Sequence, residues 1–168
     1  MGDPSGTISV RQLNDNDSEG ACAVINVAAR WYKEFLPAGE YHDPEMTVEE
    51  WSAEAGRLTW FGAFATGKLV GVMGLEYLKG VALLRHAYVL VEHQQVGIGS
   101  LLREHLEGRV EGTRRIIVGT YEGNYKARRM LEAAGYSLSK DSQAVLQTYY
   151  DVPGDRARGS VTYEKLIS

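Results

Sequence analysis

Two glycines, Gly97 and Gly99, stand where an apolar stretch gives way to a helical pattern. The apolar run from Val81 to Val91 is typical of a buried strand. After the glycines, apolar residues recur at the spacing of one helix face, at Leu102, Leu106 and Val110. The first N–H groups of a helix lack intrahelical partners, and glycines without a Cβ let an anion approach them closely. This order of strand, glycines and helix predicts a site for a phosphate group.

Two common phosphate motifs do not fit this stretch. A P-loop requires a lysine beside the glycines at the helix start, and none is present here. A dinucleotide fingerprint requires a third glycine where Leu102 stands, and an acidic residue about 20 positions further on, where the chain has apolar residues 116–118. What remains is Gln94-x-x-Gly97-x-Gly99, a string that a tight turn alone would also produce.

A second motif makes the pattern more specific. After the helix that follows the glycines and one further strand, the segment Asn124-Tyr125-Lys126-Ala127 opens another helical pattern, which ends at Gly135-Tyr136. Together with the glycine string, this order and spacing resembles the GNAT superfamily of acyl-CoA-dependent N-acyltransferases. The resemblance is good from about Leu69 to Tyr136 and looser over the flanks.

The resemblance implies acetyl-CoA as cosubstrate and no metal ion. Backbone groups of Val89 and Val91 would pair with the pantetheine amides as a substitute strand does, and amides from Gln95 to Ser100 would hold the pyrophosphate. The Val89 N–H would also stabilise the oxyanion formed during attack on the thioester. The implied cofactor-binding set is Val89, Leu90, Val91, Gln94, Gln95, Val96, Gly97, Ile98, Gly99, Ser100, Asn124 and Ala127.

The family mechanism is direct attack by a deprotonated amine, and two positions here depart from its usual residues. Leu131 stands where many members carry the tyrosine that protonates the leaving thiolate. We expect Tyr121 to replace it, with Tyr125 as the alternative. The strand also lacks a carboxylate base. Glu76 and His86 are therefore the candidate bases, and His86 is favoured because an imidazole ordinarily titrates near neutrality.

Candidate acceptor-binding residues come from three parts of the chain. Strand alternation places Arg85 on the opposite face to His86, so only one of them can face the acceptor. Arg85 is a candidate clamp for a carboxylate. Trp31 and Tyr32 lie near the end of the first helical pattern, and Tyr41 lies in the loop that follows. We expect an acceptor that carries a carboxylate or is neutral.

These residues are positioned by an α/β (α+β) fold, predicted as one domain over residues 1–168. Short turns at 66–68 and 79–80 predict three successive antiparallel strands. The following strand–helix–strand segment predicts a right-handed parallel crossover. We expect a mixed central sheet with a splayed parallel strand pair and helices on both faces. The predicted strands are 8–13, 58–65, 69–77, 81–91, 115–120, 136–138 and 160–167, and the predicted helices begin near residues 18, 48, 98, 124 and 141.

The composition sets limits on the partners. The 168 residues include 18 Lys plus Arg and 22 Asp plus Glu, a formal net charge of −4, which does not favour nucleic-acid binding. Cys22 is the single cysteine, so no internal disulfide can form, which fits a cytoplasmic protein. No signal peptide or membrane span is expected. A homodimer is possible.

The sequence therefore predicts an N-acetyltransferase that moves an acetyl group from acetyl-CoA to a primary amine of a small molecule or amino acid. Two alternatives stay open: a protein or peptide N-acetyltransferase, and a CoA-binding sensor with reduced catalysis. Leu131 and the missing carboxylate base favour the sensor slightly. A nucleotide-binding module is a further possibility, which binding of ATP without CoA would indicate.

Overall fold

A single seven-stranded sheet organises the computed structural model, which describes residues 8–32, 44–150 and 159–167. The strand order is β1-β2-β3-β4-β5-β7-β6. The strands are β1 Ile8–Gln12, β2 Leu58–Ala65, β3 Lys68–Leu78, β4 Val81–Val89, β5 Arg115–Tyr121, β6 Ser137–Leu138 and β7 Ser160–Leu166. The helices are α1 Ser18–Tyr32, α2 Val48–Glu54, α3 Ile98–Glu107, α4 Tyr125–Ala133 and α5 Ser142–Val145.

Tight turns join the antiparallel strands as the sequence predicts. Thr66 and Gly67 connect β2 to β3 with φ values of 51° and 80°, and Lys79 and Gly80 connect β3 to β4 with 51° and 83°. Positive φ at both central residues matches the twist of a hairpin, and glycine adopts it without steric cost. The predicted antiparallel run β2-β3-β4 is therefore confirmed.

The parallel crossover is also confirmed, and the two strands that it connects pair over only a short length. β4 leads through α3 to β5, and the two strands pair in parallel from Ala82↔Ile116 to Leu84↔Val118. Both strands continue past this point, β4 to Val89 and β5 to Tyr121, without further pairing between them. We call this opening between the strands the fork. It is the splayed parallel pair of the predicted α/β fold.

The core lies on both faces of the sheet. On one face, the buried stripe of α3 (Ile98, Leu102 and Leu106) packs with alternate strand residues that include Leu84 and Ile116. On the other face, α1 and α2 cover β2 and β3 through a cluster that includes Trp51 and Trp60. The segment after β6 covers Val81, Leu83 and Ile117 on this second face. Each strand of the fork therefore has helices above and below it.

The ends of β4 and α3 and the segment 141–150 differ most from the prediction. β4 ends at Val89 rather than Val91, because residues Val91–Val96 form a 3₁₀ turn directly after the bond from the Leu90 N–H to Val70 O at 2.9 Å. The sequence hides this end, since Leu90 and Val91 are as apolar as the strand before them. α3 ends at Glu107, where Gly108 caps it, although the apolar spacing that predicts the helix continues to Val110. In the segment 141–150, the predicted helical structure is α5 followed by a π-helical turn, Leu146–Tyr150. In the described ranges, no helix is both long and apolar enough to cross a membrane.

Candidate active site

The loop before α3 presents backbone N–H groups to solvent-accessible space. Gly97 adopts φ 79° and ψ 19°, a left-handed conformation that disfavours other residues, and it is the N-cap of α3. The first bond of the helix runs from the Leu101 N–H to Gly97 O at 3.0 Å. The N–H groups of residues 98–100 therefore have no partner within the helix. Ile98 is fully buried and anchors the loop, so a phosphate group can bind at this helix N-terminus.

A cleft of about 380 Å³ opens at the fork and is lined from both faces of the sheet. Gly99 and Ser100 of α3 and Asn124 and Ala127 at α4 line one side. Trp31 of α1 and residues of the π-helical turn line the other. β4 contributes residues 84–89 and β5 contributes residues 118–121. The cleft therefore joins the glycine loop to the opposite face through the gap between two strands.

Many of the residues predicted from sequence meet in this cleft, and some do not. Those that line it are Trp31, Arg85, His86, Val89, Gly99, Ser100, Tyr121, Asn124 and Ala127. Those that do not line it are Glu76, Leu90, Val91, Gly97 and Ile98. Tyr41 and the side chains of Tyr32, Gln94, Gln95 and Val96 lie outside the described part of the chain. Tyr125 is 61% exposed and does not line the cleft, so its hydroxyl is poorly placed to serve as the alternative acid.

Asn124 shapes the turn that brings Tyr121 to the cleft. Its buried side chain accepts a hydrogen bond from the Ala127 N–H at 3.2 Å and caps α4, as predicted. Its own N–H donates to Tyr121 O at 3.0 Å. These two bonds connect the end of β5 directly to the start of α4. The half-buried Tyr121 side chain is thereby held on the rim of the fork.

Glu76 and Arg85 form an ion pair beside the cleft. Arg85 Nη1 donates to Glu76 Oε1 at 2.8 Å, and both side chains are largely buried. The guanidinium also lies over the Tyr150 ring, 5.4 Å from its centroid. Since Glu76 is outside the cleft and bound to a cation, its position disfavours the role of general base. Arg85 lines the cleft but already holds one carboxylate.

His86 lies in a β-bulge that strand alternation does not foresee. Its φ is 55°, and the register of β4 against β3 shifts between Val72 and Gly74. The extra residue breaks the alternation, so His86 turns away from the face of Leu84 and packs at a tilt against Trp60, with 5.4 Å between the ring centroids. The predicted alternation, which places Arg85 and His86 on opposite faces, is therefore wrong at the bulge, and both residues line the cleft. Which of them faces the acceptor stays a prediction.

Glu54, at the end of α2, is a site residue that the sequence analysis missed. Its Oε1 lies 3.7 Å from His86 Nε2, an ion-pair contact longer than a hydrogen bond. The interaction with His86, together with two hydrogen bonds from Arg57, lowers the pKa of the Glu54 carboxyl to about 2 despite its burial. A carboxylate beside an imidazole can orient the ring and stabilise its protonated form. No local motif marks Glu54, because the contact joins residues 32 positions apart.

The fold and the cleft define an acyltransferase of the type that binds an acyl-CoA at a forked sheet. The chain belongs to the acetyltransferase (GNAT) family, whose sequence model matches residues 25–136. Among curated proteins, no sequence matches significantly.

Solved structures share the fold over nearly the whole chain. An acetyltransferase from Streptococcus agalactiae 2603 superposes with a TM-score of 0.74 at 20% identity, covering 96% of this chain and 99% of that one. The PaiA N-acetyltransferase from Thermoplasma acidophilum, in complex with coenzyme A, gives 0.67 at 20% identity, covering 95% and 98%. The ribosomal-protein-S18-alanine N-acetyltransferase from Escherichia coli gives 0.68 at 19% identity, covering 96% and 94%. At these identities, the likeness shows the fold.

The lowered pKa of Glu54 predicts a stability loss in acid. A carboxyl whose pKa falls on folding stabilises the protein above its unfolded pKa, and this contribution disappears as pH falls through the folded value. We expect the part contributed by Glu54 to vanish between about pH 5 and pH 2. Urea unfolding midpoints measured across this range should fall less steeply for Glu54→Gln than for the wild type. Glu49→Gln, which removes an exposed carboxylate from the same helix, should keep the wild-type slope. Equal slopes for all three proteins would contradict the assignment.

Proposed function

We propose that this protein transfers the acetyl group of acetyl-CoA to a primary amine, on a small molecule or amino acid, by direct attack in the cleft at the fork. The observation that carries the proposal is the cleft itself, which runs from the N-terminus of α3 through the opening between β4 and β5 to the opposite face. A donor held along one part of it would present its acetyl group to an acceptor entering from the other.

The residues of the cleft fit the parts of acetyl-CoA. The N-terminal amides of α3 suit the pyrophosphate. The space beside Gly99 is open, since an added Cβ there would contact only Val89 Cγ2, at 3.9 Å. The strand edges of the fork suit the pantetheine arm, whose amides can pair with backbone as an added strand does. Arg103 and Lys126 also line the cleft and bring positive charge to it. Val89 remains the proposed source of the N–H that stabilises the oxyanion.

The chemistry requires a base and an acid. His86 accepts the proton of the acceptor amine, with Glu54 orienting the imidazole. As His86 accepts a proton from the neutral amine, the amine nitrogen bonds to the thioester carbonyl carbon, the C–S bond breaks, and the sulfur leaves with the electron pair. Tyr121 donates a proton to that sulfur, and its phenolate regains a proton from the His86 imidazolium through solvent. A thiol of this type has a pKa near 8.5, so its thiolate is a modestly poor leaving group near neutral pH, and a general acid that protonates the sulfur in the slow step raises the rate.

The charges of the cleft favour a particular acceptor class. Arg85, Arg103 and Lys126 line it, whereas none of its described lining residues is an aspartate or glutamate. Such a lining disfavours a polycation such as spermidine, because like charges repel. An amino acid could place its carboxylate near Arg85.

A peptide N-terminus is the second candidate acceptor, and the Arg85–Glu76 ion pair favours it. Because Glu76 already neutralises Arg85 at 2.8 Å, the acceptor need not bring a carboxylate of its own. One solved relative in fold is an N-acetyltransferase for an alanine of ribosomal protein S18. The acceptor for this chain would then be a peptide amine without a nearby negative charge.

Binding of acetyl-CoA at the glycine loop is testable by stability. For the wild type, acetyl-CoA at 100 times its Kd should add about 2.7 kcal/mol to the free energy of unfolding. Gly99→Glu should lose this gain, because a carboxylate at the helix N-terminus repels the pyrophosphate. Leu101→Glu places the same charge on the exposed side of α3, outside the cleft, and should retain the gain. No thermal shift of the wild type in millimolar acetyl-CoA would overturn the proposed function, and an unchanged shift in Gly99→Glu would overturn the site.

The acceptor class is testable by comparing alanine, alaninamide, a short Ala-peptide and spermidine. We expect kcat/KM for the best of the first three to exceed that for spermidine at least tenfold. The double variant Arg85→Gln/Glu76→Gln removes the cation without leaving a buried carboxylate unpaired. If the acceptor is an amino acid, KM for alanine should rise at least fivefold in this variant while KM for alaninamide stays unchanged. Preference for alaninamide and the peptide would support the second candidate, and preference for spermidine would exclude both.

The acid and base are testable in one pH–rate experiment. The wild-type kcat/KM should follow a bell-shaped profile. His86→Gln should lose the acidic limb, and Tyr121→Phe should lower kcat at least tenfold with acetyl-CoA affinity near that of the wild type. Tyr125→Phe, which removes an exposed hydroxyl outside the cleft, should behave as the wild type. A kcat within twofold of the wild type in Tyr121→Phe would show that another donor, such as water, supplies the proton. Acetyl-CoA binding without turnover of any amine would favour the sensor.

A further inference from the structure

Tyr150 places its hydroxyl at the apex of the fork. Its Oη donates to Ile117 O of β5 at 3.1 Å and lies 3.5 Å from Leu84 O of β4. A hydroxyl has one proton, so the shorter contact is the hydrogen bond and the longer one a weaker alternative. Burial raises the pKa of the Tyr150 phenol, and a hydrogen-bonding contribution from the Gly119 backbone opposes this rise. One side chain therefore contacts the backbones of both strands where their parallel pairing ends, at Leu84↔Val118.

The surroundings leave room for the ring at this point. Gly119 has no side chain, and a Cβ built there would lie 3.8 Å from Tyr150 Cζ and 4.0 Å from Leu146 Cδ2. The phenol ring thus packs beside Gly119 of β5, at a distance where even an added Cβ would make only an ordinary van der Waals contact. On its other side, the Arg85 guanidinium lies over the ring and bonds to Glu76. The ring also borders the cleft.

The segment that delivers Tyr150 is firmly attached to the sheet. Asp141 caps α5 by accepting a hydrogen bond from the Ala144 N–H at 3.1 Å. Ser142 Oγ accepts from the Thr162 N–H of β7 at 3.0 Å. The π-helical turn that follows packs against Val81, Leu83 and Ile117 through neighbouring side chains. These hydrogen bonds and this packing therefore fix the position of Tyr150 beside the fork.

We propose that the Tyr150 hydroxyl fixes the point at which β4 and β5 part, and so positions the strand edges that hold the pantetheine arm. This inference rests on the function proposed above. By occupying backbone groups of both strands at the last paired position, the phenol prevents the two strands from pairing further towards Val89 and Tyr121. Tyr150 is a positioning residue, because it acts through the backbone and not on the reacting atoms.

The test compares Tyr150→Phe with Tyr149→Phe. The first change removes the hydroxyl from the fork and keeps the ring. The second removes a neighbouring hydroxyl on the same helical turn. That hydroxyl accepts a hydrogen bond from Arg115 Nη1 at 3.3 Å, and Tyr149 does not line the cleft. In the absence of ligand, the exchange rate of the Gly119 amide hydrogen should differ from that of the wild type at least tenfold in Tyr150→Phe and less than twofold in Tyr149→Phe. Matching exchange in both variants would overturn the proposal.

Calorimetry with two ligands separates fork geometry from general damage. The probes are CoA and 3′-phospho-ADP, the half of CoA that lacks the pantetheine arm. Tyr150→Phe should raise the Kd for CoA about tenfold and leave the Kd for 3′-phospho-ADP within twofold of the wild type. Equal weakening of both ligands, or an unchanged Kd for CoA, would overturn the role of the hydroxyl. Failure of the wild type to bind CoA would instead overturn the proposed function.

Discussion

The parallel pairing of β4 and β5 ends after three residue pairs, and the site depends on this early end. In a sheet, the backbone N–H and C=O groups of each strand normally bond to the neighbouring strands. Where two strands part within the sheet, the groups that face the opening need other partners. On the outer sides of the fork, β4 pairs with β3 and β5 pairs with β7, which satisfies the backbone groups that face away from the fork and keeps both strands in the sheet. The opening is thus supported from outside, and the cleft can cross the sheet without dividing the core.

The two faces of the sheet supply different chemistry to the same cleft. The face of α3 and α4 offers helix amides, glycine and the capped turn at Asn124, all suited to an anionic, extended donor. The other face offers an imidazole, an arginine and aromatic rings, which suit a smaller acceptor. The bulge places His86 on this second face, because it turns the residue out of the strand alternation and towards Glu54 and Trp60. A regular β4 would have placed the imidazole on the other face.

The parts of the site that depend on local sequence were predictable, and those that depend on distant contacts were not. Turn residues and apolar alternation predict the order of strands, and Gly97 and Asn124 mark the two helix starts because each satisfies a local backbone requirement. The bulge has no such mark, since apolar residues continue on both sides of it. Glu54 and Tyr150 reach the site only through tertiary packing, across 32 and 66 positions. The segment that carries Tyr150 is recognisable as helical, but its spacing does not say which strands it meets.

The aromatic residues at the cleft also give it an intrinsic fluorescence signal. All three tryptophans of the chain belong to this region: Trp31 lines the cleft, while Trp60 stacks on Trp51 at 5.3 Å and meets the His86 imidazole at a tilt, 5.4 Å away. An imidazole in contact with an indole quenches its fluorescence, so the emission of Trp60 depends on how His86 lies against it. Trp31 responds to the polarity of the cleft that it lines. The molecule therefore contains its own optical probe for occupancy of the cleft, with no foreign label in the site.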